Sequence, residues 1–518
     1  MSRYECKALE YDKVINLLIE QADSEPGRNL IRHLRPSSDA DKVKKWIQGT
    51  AEGLDLLRIK ADISLTGLKE IRGTIRRAEM SGLLSPQELL NISSTIAVGR
   101  RFKQLMLKID KEENPLPILR SIAEGLAGLS ALQKAITSCI DDEAQVIDTA
   151  SPELKRIRRD IFTTQERIRT SLEQMIRNSH IQKMTQESII TIRNNRYVIP
   201  VKQEYRSMFG GIVHDTSASG ATLFIEPEIA VALNNKLREL ESAEEKEIER
   251  ILLQLTLQVK DDAEALKENL RLLAELDLII AKARFGKMMK GICPQINDDG
   301  IIHLKQARHP LIPAAEVVPI DVELGNNYQG IVITGPNTGG KTVSLKTVGL
   351  LALMSQSGLP IPAEEGSTLP VFSGIFADIG DEQSIEQNLS TFSSHMTHII
   401  QILERIDKNS LVLLDEIGAG TDPTEGTALA IAILDHILNQ GCLLMATTHY
   451  SDLKLYAHSR KGLINASVEF DVKSLRPTYQ LLIGIPGRSN AFAIASRLGL
   501  SSRIIQAAKS QLSADDNR

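Results

Sequence analysis

Hydrophobic residues recur at helical spacing through the first 150 residues, as Val14, Leu17 and Leu18 illustrate. Turn-forming clusters such as Asn-Pro-Leu-Pro at 114–117 separate one helix from the next. Residues 85–88, Ser-Pro-Gln-Glu, are predicted to begin a helix, because the serine can cap it and the glutamate can bond back to the cap. This part of the chain predicts a helical domain without a catalytic constellation.

Two longer helices are predicted next, each with the narrow apolar stripe of a helix that packs along a partner. In the first, which begins at residue 151, apolar positions lie seven residues apart at Leu154, Ile161, Ile168 and Met175. The second runs from about 227 to 286, and short β-branched runs between the two predict a small sheet over about 189–227. One helix out and one back would form an antiparallel arm with the sheet at its tip. Two bundle helices within a compact domain are the alternative.

Composition narrows the class of protein. The chain has 518 residues, of which 42% are hydrophobic and 25% charged, and these fractions exclude a disordered chain, a collagen-like repeat and a disulfide-stabilised mini-protein. Aromatic residues make up only 4%, which favours a helix-rich protein over an all-β one. The four cysteines are far apart in the sequence, which favours reduced thiols over zinc or disulfide spacing.

The chain is expected to be cytoplasmic and to have no membrane partner. Its first residues lead into no apolar segment of the kind that signal peptides contain. The uncharged run at 347–363 contains two prolines and several polar residues, so it is not expected to span a membrane.

The net charge of −5 hides an uneven distribution. Residues 153–206 contain 12 lysines and arginines against 6 acidic residues, whereas 236–278 contain 7 against 12. A basic outgoing helix and sheet would suit the phosphate backbone of a nucleic acid better than its bases. The alternative is that these charges only solvate two helix faces and pair across them. The candidate nucleic-acid contacts are Lys155, Arg156, Arg158, Arg159, Arg193, Arg196, Lys202 and Arg206.

The strongest chemical signal is a phosphate-binding loop. An apolar strand at 330–334 leads directly into a segment that matches G-x-x-x-x-G-K-[ST], and a helical pattern follows. In such loops the backbone N–H groups and the helix start bind phosphates, the lysine reaches the β- and γ-phosphates, and the last hydroxyl can ligate Mg²⁺. The predicted ATP-binding residues are Gly335, Pro336, Asn337, Thr338, Gly339, Gly340, Lys341 and Thr342.

Two further strands end in residues that suit the same site. The apolar run at 411–414 leads into Asp415, placed to hold Mg²⁺, and Glu416, placed to polarise the attacking water. The run at 442–448 ends at His449, which can contact the γ-phosphate. The sequence therefore predicts an ATPase that uses ATP and Mg²⁺, with Glu416 and His449 as catalytic residues.

This order of motifs resembles the MutS family of ABC-type ATPases. Residues 390–396, Ser-Thr-Phe-Ser-Ser-His-Met, are similar to the family's signature segment. The resemblance implies a homodimer in which two ATPase domains enclose ATP, with Ser390 and Thr391 of one subunit completing its partner's site. His395 and His398 are interpreted as structural, because no third metal ligand lies nearby in the sequence.

The motifs match the second bacterial branch of that family, often called MutS-two, along nearly the whole chain. The matching segments are 197–202, 217–227, 391–395 and 483–491. The resemblance implies a multidomain fold with three parts. These are an α-helical core domain at 1–150, a long antiparallel coiled-coil lever and clamp arm with a small β tip at 151–290, and an α/β ABC-type P-loop ATPase domain with a C-terminal helical dimerisation segment at 291–518.

Two departures limit the expected function. The only Phe-x-Glu, at 224–226, lies in the predicted sheet rather than in a separate mismatch-reading domain, so mismatch recognition is not expected. The chain contains no Leu-Asp-Leu-Arg or His-Gly-x-Gly motif of the branch's small nuclease domain, so nuclease activity is not expected from these 518 residues. Removal and natural absence of that domain are both open.

The resemblance implies an ATP-driven clamp with one of two targets. It would grip branched DNA to restrain recombination, or collided ribosomes, through their rRNA, for rescue. A basic arm suits either polynucleotide. The alternatives are an ATP-gated coiled-coil scaffold with little hydrolysis and a transporter-type ATP-binding subunit, whose Leu-Ser-Gly-Gly-Gln signature is absent.

Overall fold

The computed structural model describes residues 3–335, 340–380, 391–471, 476–486, 495–496 and 499–515. Contacts along the chain group it into two units. The first unit comprises Met1–Thr66, Lys108–Ala123 and Leu273–Arg518, and the second comprises Gly67–Leu107 and Glu124–Leu272.

The helical pattern of the first 150 residues is confirmed. The α-helices described there are α1 (Tyr11–Ile19), α2 (Glu25–Arg32), α3 (Ala40–Ile59), α4 (Arg72–Glu79), α5 (Pro86–Lys108), α6 (Pro117–Gly125) and α7 (Ser130–Thr137). The predicted capping contacts are present at the start of α5. The N–H of Ser85 donates to Oε2 of Glu88 at 3.0 Å, and the N–H of Glu88 donates to Oγ of Ser85 at 3.4 Å.

Long helices flank the predicted sheet, but the returning helix is not continuous. The helices of this region are α8 (Pro152–Ile176), α9 (Ser179–Met184), α10 (Arg206–Phe209), α11 (Glu228–Asp261) and α12 (Ala263–Met289). Helix α8 begins directly after residue 151, close to the predicted start, and the hydroxyl of Ser151 caps it by accepting from the N–H of Leu154 at 3.0 Å. The single helix predicted to return from about 227 to 286 is instead two helices, because the chain leaves helical geometry at Asp262. Aspartate is a residue type that favours helix ends.

The contacts between α8 and α11 show that these two helices run antiparallel. Ser151 Oγ donates to Glu247 Oε1 at 2.7 Å near the start of α8. Further along α8, Arg158 Nε donates to Glu244 Oε1 at 2.7 Å. A later position on α8 thus meets an earlier position on α11.

The predicted small sheet is present and is organised around a buried carboxylate. Its strands are β1 (Thr191–Arg193), β2 (Arg196–Lys202), β3 (Ile212–Thr216) and β4 (Thr222–Glu226), in the antiparallel order β1-β2-β4-β3. Glu226 is fully buried and contacts Arg196 at 2.7 Å, His214 at 2.6 Å and Asn234 at 2.8 Å. Burial disfavours its charge, yet these three hydrogen bonds hold the pKa of Glu226 below its usual range. Glu226 therefore links β2, β3 and α11.

Two sheets lie in the first unit. One has the order β5-β9-β6-β7 and the other the order β10-β11-β12-β8-β13-β14. The smaller sheet contains β5 (Gln295–Asn297), β6 (Ile302–Ala307), β7 (Ile320–Leu324) and β9 (Thr368–Pro370). The larger sheet contains β8 (Gly330–Thr334), β10 (Gly374–Asp378), β11 (Ser410–Leu414), β12 (Leu443–Thr448), β13 (Leu463–Asp471) and β14 (Arg476–Ile483). The larger sheet is parallel except for the antiparallel pair β13 and β14.

Four strands of the larger sheet, β8, β10, β11 and β12, are buried throughout, which explains why they are mostly apolar. Alternate residues of β8 enter different cores, with Ile331 and Ile333 in one and Val332 in the other. The helices that accompany this sheet are α13 (Lys341–Gln356), α14 (Thr391–Leu403), α15 (Pro423–Asn439), α16 (Ser451–Ser459) and α17 (Ser502–Asp515). Residues from α1 and α13 pack in the same core as Ile331 and Ile333, and this packing fixes α13, the helix that follows the predicted phosphate-binding loop.

A buried lysine secures the far end of α13. Lys282 of α12 donates to the carbonyl of Ser357 at 2.8 Å, and Thr50 donates to the carbonyl of Gly358 at 2.7 Å. Gly358 has a φ of 69°, and a Cβ there would lie 2.4 Å from the Cβ of Trp46, so the close turn requires glycine. Burial lowers the pKa of Lys282 to about 7.

The fold bears on membrane-spanning helices and on the state of the cysteines. Within the described ranges, no helix has the length and apolar character needed to cross a membrane. The four cysteines are free thiols, and Cys442 is buried at the start of β12.

Candidate functional site

The parallel strands of the larger sheet bring the predicted ATPase residues to one edge. Thr334 at the end of β8 pairs with Thr448 at the end of β12, and Asp378 at the end of β10 pairs with Leu414 at the end of β11. The residues that follow these strands therefore meet beyond the same edge of the sheet.

Helix α13 begins at the predicted phosphate-binding lysine, beside two glycines with positive φ. Gly335 and Gly340 have φ values of 146° and 82°, and Lys341 is the first residue of α13. Lys341 Nζ donates to the carbonyl of Gly335 at 2.9 Å. Burial lowers the pKa of Lys341, and the nearby carboxylates of Asp415 and Glu416 oppose that shift. The predicted residues Pro336, Asn337, Thr338 and Gly339 lie outside the described residues.

The two predicted metal ligands are in direct contact. Thr342 Oγ1 donates to Asp415 Oδ2 at 2.7 Å, although 73 residues separate them in the sequence. The other oxygen, Asp415 Oδ1, accepts from Thr447 Oγ1 at 2.5 Å. The Thr342 hydroxyl at the start of α13 and the Asp415 carboxylate directly after β11 are hard oxygen ligands of the kind that Mg²⁺ accepts, so the residues present fit the ion.

Glu416 follows Asp415 in an unusual backbone conformation. Its φ of 48° lies in the left-handed region, which a non-glycine residue seldom adopts. Its N–H donates to Thr447 Oγ1 at 2.8 Å. His449 is exposed at the end of β12, and its ring centre lies 4.6 Å from that of Tyr450.

The two histidines of the signature region share one carboxylate. Asp378 accepts from His395 at 2.7 Å and from His398 at 2.9 Å. The hydrogen bond to Asp378 and the nearby Glu5 raise the pKa of His398 to about 9. The N–H of Asp415 donates to the carbonyl of Asp378 at 2.9 Å. This cluster therefore adjoins the acidic turn, which is formed by Asp415 and Glu416 directly after β11. A search of the described residues found no group of His, Cys, Asp and Glu arranged to hold a metal ion.

The predicted signature residues can be located only in part. Ser390 lies outside the described residues. Thr391 is the first residue of α14.

Tyr479 of β14 is a site residue that sequence reasoning missed. A Cβ built on Gly340 would lie 2.7 Å from Cδ1 of Tyr479, so the tyrosine ring rests on the loop where glycine leaves room. Tyr479 has a φ of 63° and is 45% exposed. An exposed aromatic ring in a disfavoured backbone conformation is typical of a binding position. No sequence motif marks Tyr479, because its contact with Gly340 depends on how the strands are arranged in the sheet.

The predicted nucleic-acid contacts on α8 lie in the second unit and differ in availability. Arg156 pairs with Glu153 at 2.6 Å, and Arg158 makes the cross-helix pairing with α11 that the alternative interpretation predicts. Lys155 and Arg159 are exposed. They line a surface depression together with Phe162, which is 65% exposed and was not among the predicted contacts.

The predicted nucleic-acid contacts in the small sheet also differ in whether their side chains already have partners within the protein. Arg196 is committed to the buried Glu226, and the guanidinium of Arg193 lies 4.4 Å from the ring centre of Phe224. Lys202 donates to the carbonyl of Lys183 at 3.3 Å. Arg206 is exposed.

The chain is similar to known proteins along nearly its whole length. The family described as MutS domain V matches residues 331–514. Endonuclease MutS2 of Brevibacillus brevis is 57% identical over 512 residues, and that of Halalkalibacterium halodurans is 54% identical over 510. The protein named putative endonuclease MutS2 of Bacillus subtilis is 52% identical over 510 residues. These matches cover 98–99% of the chain, which spans 65% of the length of these relatives. Along nearly its whole length the chain is therefore similar to the MutS-family proteins named MutS2, and its residues 331–514 match MutS domain V.

Proposed function

We propose that the chain is an ATP-hydrolysing, nucleic-acid-binding protein of the MutS type. The observation that carries the proposal is the 2.7 Å contact between Thr342, at the start of α13, and Asp415, with Glu416 next in the chain. This is the arrangement that a phosphate-binding loop and a strand-end acid need in order to hold Mg²⁺ and nucleotide phosphates together.

Each side chain of the site has a chemical role in this proposal. The start of α13 and the Lys341 amine bind phosphate oxygens, and Thr342 with Asp415 would hold Mg²⁺. Mg²⁺ neutralises charge that develops on the phosphates. Glu416 accepts a proton from the attacking water, and His449 contacts the γ-phosphate. The half-buried Glu416 and the exposed His449 lie at the strand edge, and this supports both roles because neither side chain is enclosed in the core.

Tyr479 is proposed to provide a stacking surface for the nucleotide base. Tyr479→Leu should weaken ATP binding about tenfold, because one base–aromatic stack contributes about 1–3 kcal/mol. Tyr479→Phe is the matched control and should bind ATP as the wild type does. Inhibition by inorganic tripolyphosphate, which has no base, should be unchanged in both variants. Equal loss of tripolyphosphate binding in Tyr479→Leu would contradict a base contact and indicate a damaged loop.

The proposal extends to assembly and domain organisation. Ser390 and Thr391 would complete the site of a second copy, so the active form is a homodimer through residues 291–518, in the cytoplasm. Residues 1–150 would serve as the core domain and 151–290 as the lever and clamp arm. The antiparallel contacts of α8 with α11 support the arm.

The matched relatives are named endonucleases. The nuclease motifs are absent from these 518 residues, which supports assigning the ATPase part alone to this chain.

Nucleic-acid binding is proposed for the exposed basic residues of the second unit. Lys155→Gln with Arg206→Gln should weaken binding to a branched DNA and flatten its salt dependence, by about one unit of slope per lost phosphate contact. Lys236→Gln with Arg238→Gln on α11 is the control, since these exposed cations already pair with Glu239 and Glu241. An unchanged salt dependence of DNA binding in the first variant would favour the alternative, in which these charges only solvate the helix surfaces.

The target of the clamp is tested with a variant that traps ATP. Glu416→Gln, loaded with ATP, should retain either ribosomes or branched DNA in a pulldown, and the retained species identifies the target. Retention of neither, together with little ATP hydrolysis by the wild type, would favour the scaffold alternative.

A further inference from the structure

One threonine holds the whole acidic turn at the end of β11. Thr447 is fully buried in β12. Its hydroxyl donates to Asp415 Oδ1 at 2.5 Å and accepts from the N–H of Glu416 at 2.8 Å. Its carbonyl accepts from the N–H of Ile417 at 3.1 Å. Three consecutive residues of the turn are therefore bonded to the same residue of the neighbouring strand.

The position of Thr447 in the sheet does not by itself call for a hydroxyl. The preceding residues Met445 and Ala446 are apolar and fully buried, as expected for a strand covered on both faces. A buried hydroxyl is stable only when its hydrogen-bonding capacity is used, and here both its donor and its acceptor are used on the turn.

The turn needs such support because Glu416 adopts a left-handed conformation. A φ of 48° is disfavoured for a residue with a Cβ and persists only where surrounding contacts enforce it. The hydrogen bond from the Glu416 N–H to Thr447 acts directly at that residue. Without it the backbone can relax, and the carboxylate would leave the position from which it reaches the attacking water.

We propose that Thr447 is a positioning residue that sets the direction of the Glu416 carboxylate through the backbone of Glu416. The inference rests on the proposed ATPase function, because it concerns the geometry of the residue that activates water. Thr447 touches neither nucleotide nor water in this account. It bonds Asp415 through Oδ1, whereas Thr342 bonds Oδ2, so we expect Thr447 to affect turnover through Glu416 and to leave nucleotide binding intact.

The test replaces the hydroxyl with a methyl group of nearly the same size. Thr447→Val should lower kcat roughly ten- to a hundredfold, which is typical of a displaced catalytic group, while the Kd for ATP stays within about twofold. Thr447→Ser keeps the hydroxyl and should restore most of the turnover. Thr347→Val is the matched control, because that buried hydroxyl bonds only the carbonyl of Val343 within α13 at 2.7 Å. If Thr447→Val does not fold, Thr447→Ala serves in its place.

A double variant separates positioning from general damage. In a Glu416→Gln background, Thr447→Val should cause no further loss of the residual turnover, because the residue it acts through is already disabled. An equal loss in both backgrounds, a parallel loss of ATP affinity, or wild-type turnover in Thr447→Val would each overturn the inference while leaving the ATPase intact. A wild-type chain without ATPase activity would overturn the proposed function and this inference with it.

Discussion

Glu416→Gln is expected to bind ATP and to leave it unhydrolysed. Glutamine has nearly the size of glutamate and can keep the left-handed turn, but it cannot accept the proton of the attacking water. Loss of a general base lowers turnover by about 10²–10⁴-fold. After incubation with ATP and gel filtration, the variant should carry ATP, whereas the wild type should carry ADP.

The control for this experiment is Glu404, an exposed glutamate that directly follows α14. Glu404→Gln removes one carboxylate outside the site and should leave turnover unchanged. Wild-type turnover in Glu416→Gln would remove Glu416 from the catalytic role and favour another base, with His449 the next candidate along the strand edge.

Lys341→Ala is expected to abolish nucleotide binding. The amine is largely buried beside two carboxylates, and it is already held 2.9 Å from the carbonyl of Gly335 at the start of the loop. Its removal deprives the phosphates of a buried charged partner, which typically costs about 3–5 kcal/mol, so the Kd for ATP should rise about a hundredfold or more. Isothermal titration with ATP measures the effect.

A second lysine of α13 provides the matched control. Lys346 donates to Glu10 Oε2 at 3.1 Å and lies one turn beyond the loop, so Lys346→Ala should leave ATP affinity unchanged. Unchanged affinity in Lys341→Ala would contradict the phosphate-loop assignment. Thermal unfolding without nucleotide should confirm that the Lys341→Ala variant remains folded.

The elements of the ATPase site could be predicted because their signals are local. The strands at 330–334, 411–414 and 442–448 are continuous apolar runs, and each leads directly into its functional residue. In a parallel sheet, strand ends of the same polarity share one edge, so the acids and the loop were expected to meet there. The structure places Thr342 against Asp415, as that argument requires.

The residues that sequence reasoning missed depend on strand register. Thr447 lies within the predicted strand at 442–448 and Tyr479 lies in β14, but neither stands in a phosphate-loop or acidic motif. Their contacts with Glu416 and Gly340 follow from which strands are neighbours, which no local pattern specifies.

The long helices, too, could be predicted only in part from local patterns in the sequence. Their apolar stripes predicted two helices, but not the break at Asp262, because the heptad-like pattern continues across it. The excess of basic residues between 153 and 206 was visible in the sequence. Their partners were not, since the pairing of Arg158 with Glu244 and of Arg196 with Glu226 depends on how distant segments align.

The central claim is that Lys341, Thr342, Asp415 and Glu416 form one ATP-hydrolysing site. A single-turnover assay with radiolabelled ATP tests it most directly, with the wild type and Glu416→Gln measured side by side, with and without Mg²⁺. The account predicts phosphate release only by the wild type with Mg²⁺, while the variant retains intact ATP. Equal phosphate release by both proteins, or release by the wild type that does not depend on Mg²⁺, would contradict it.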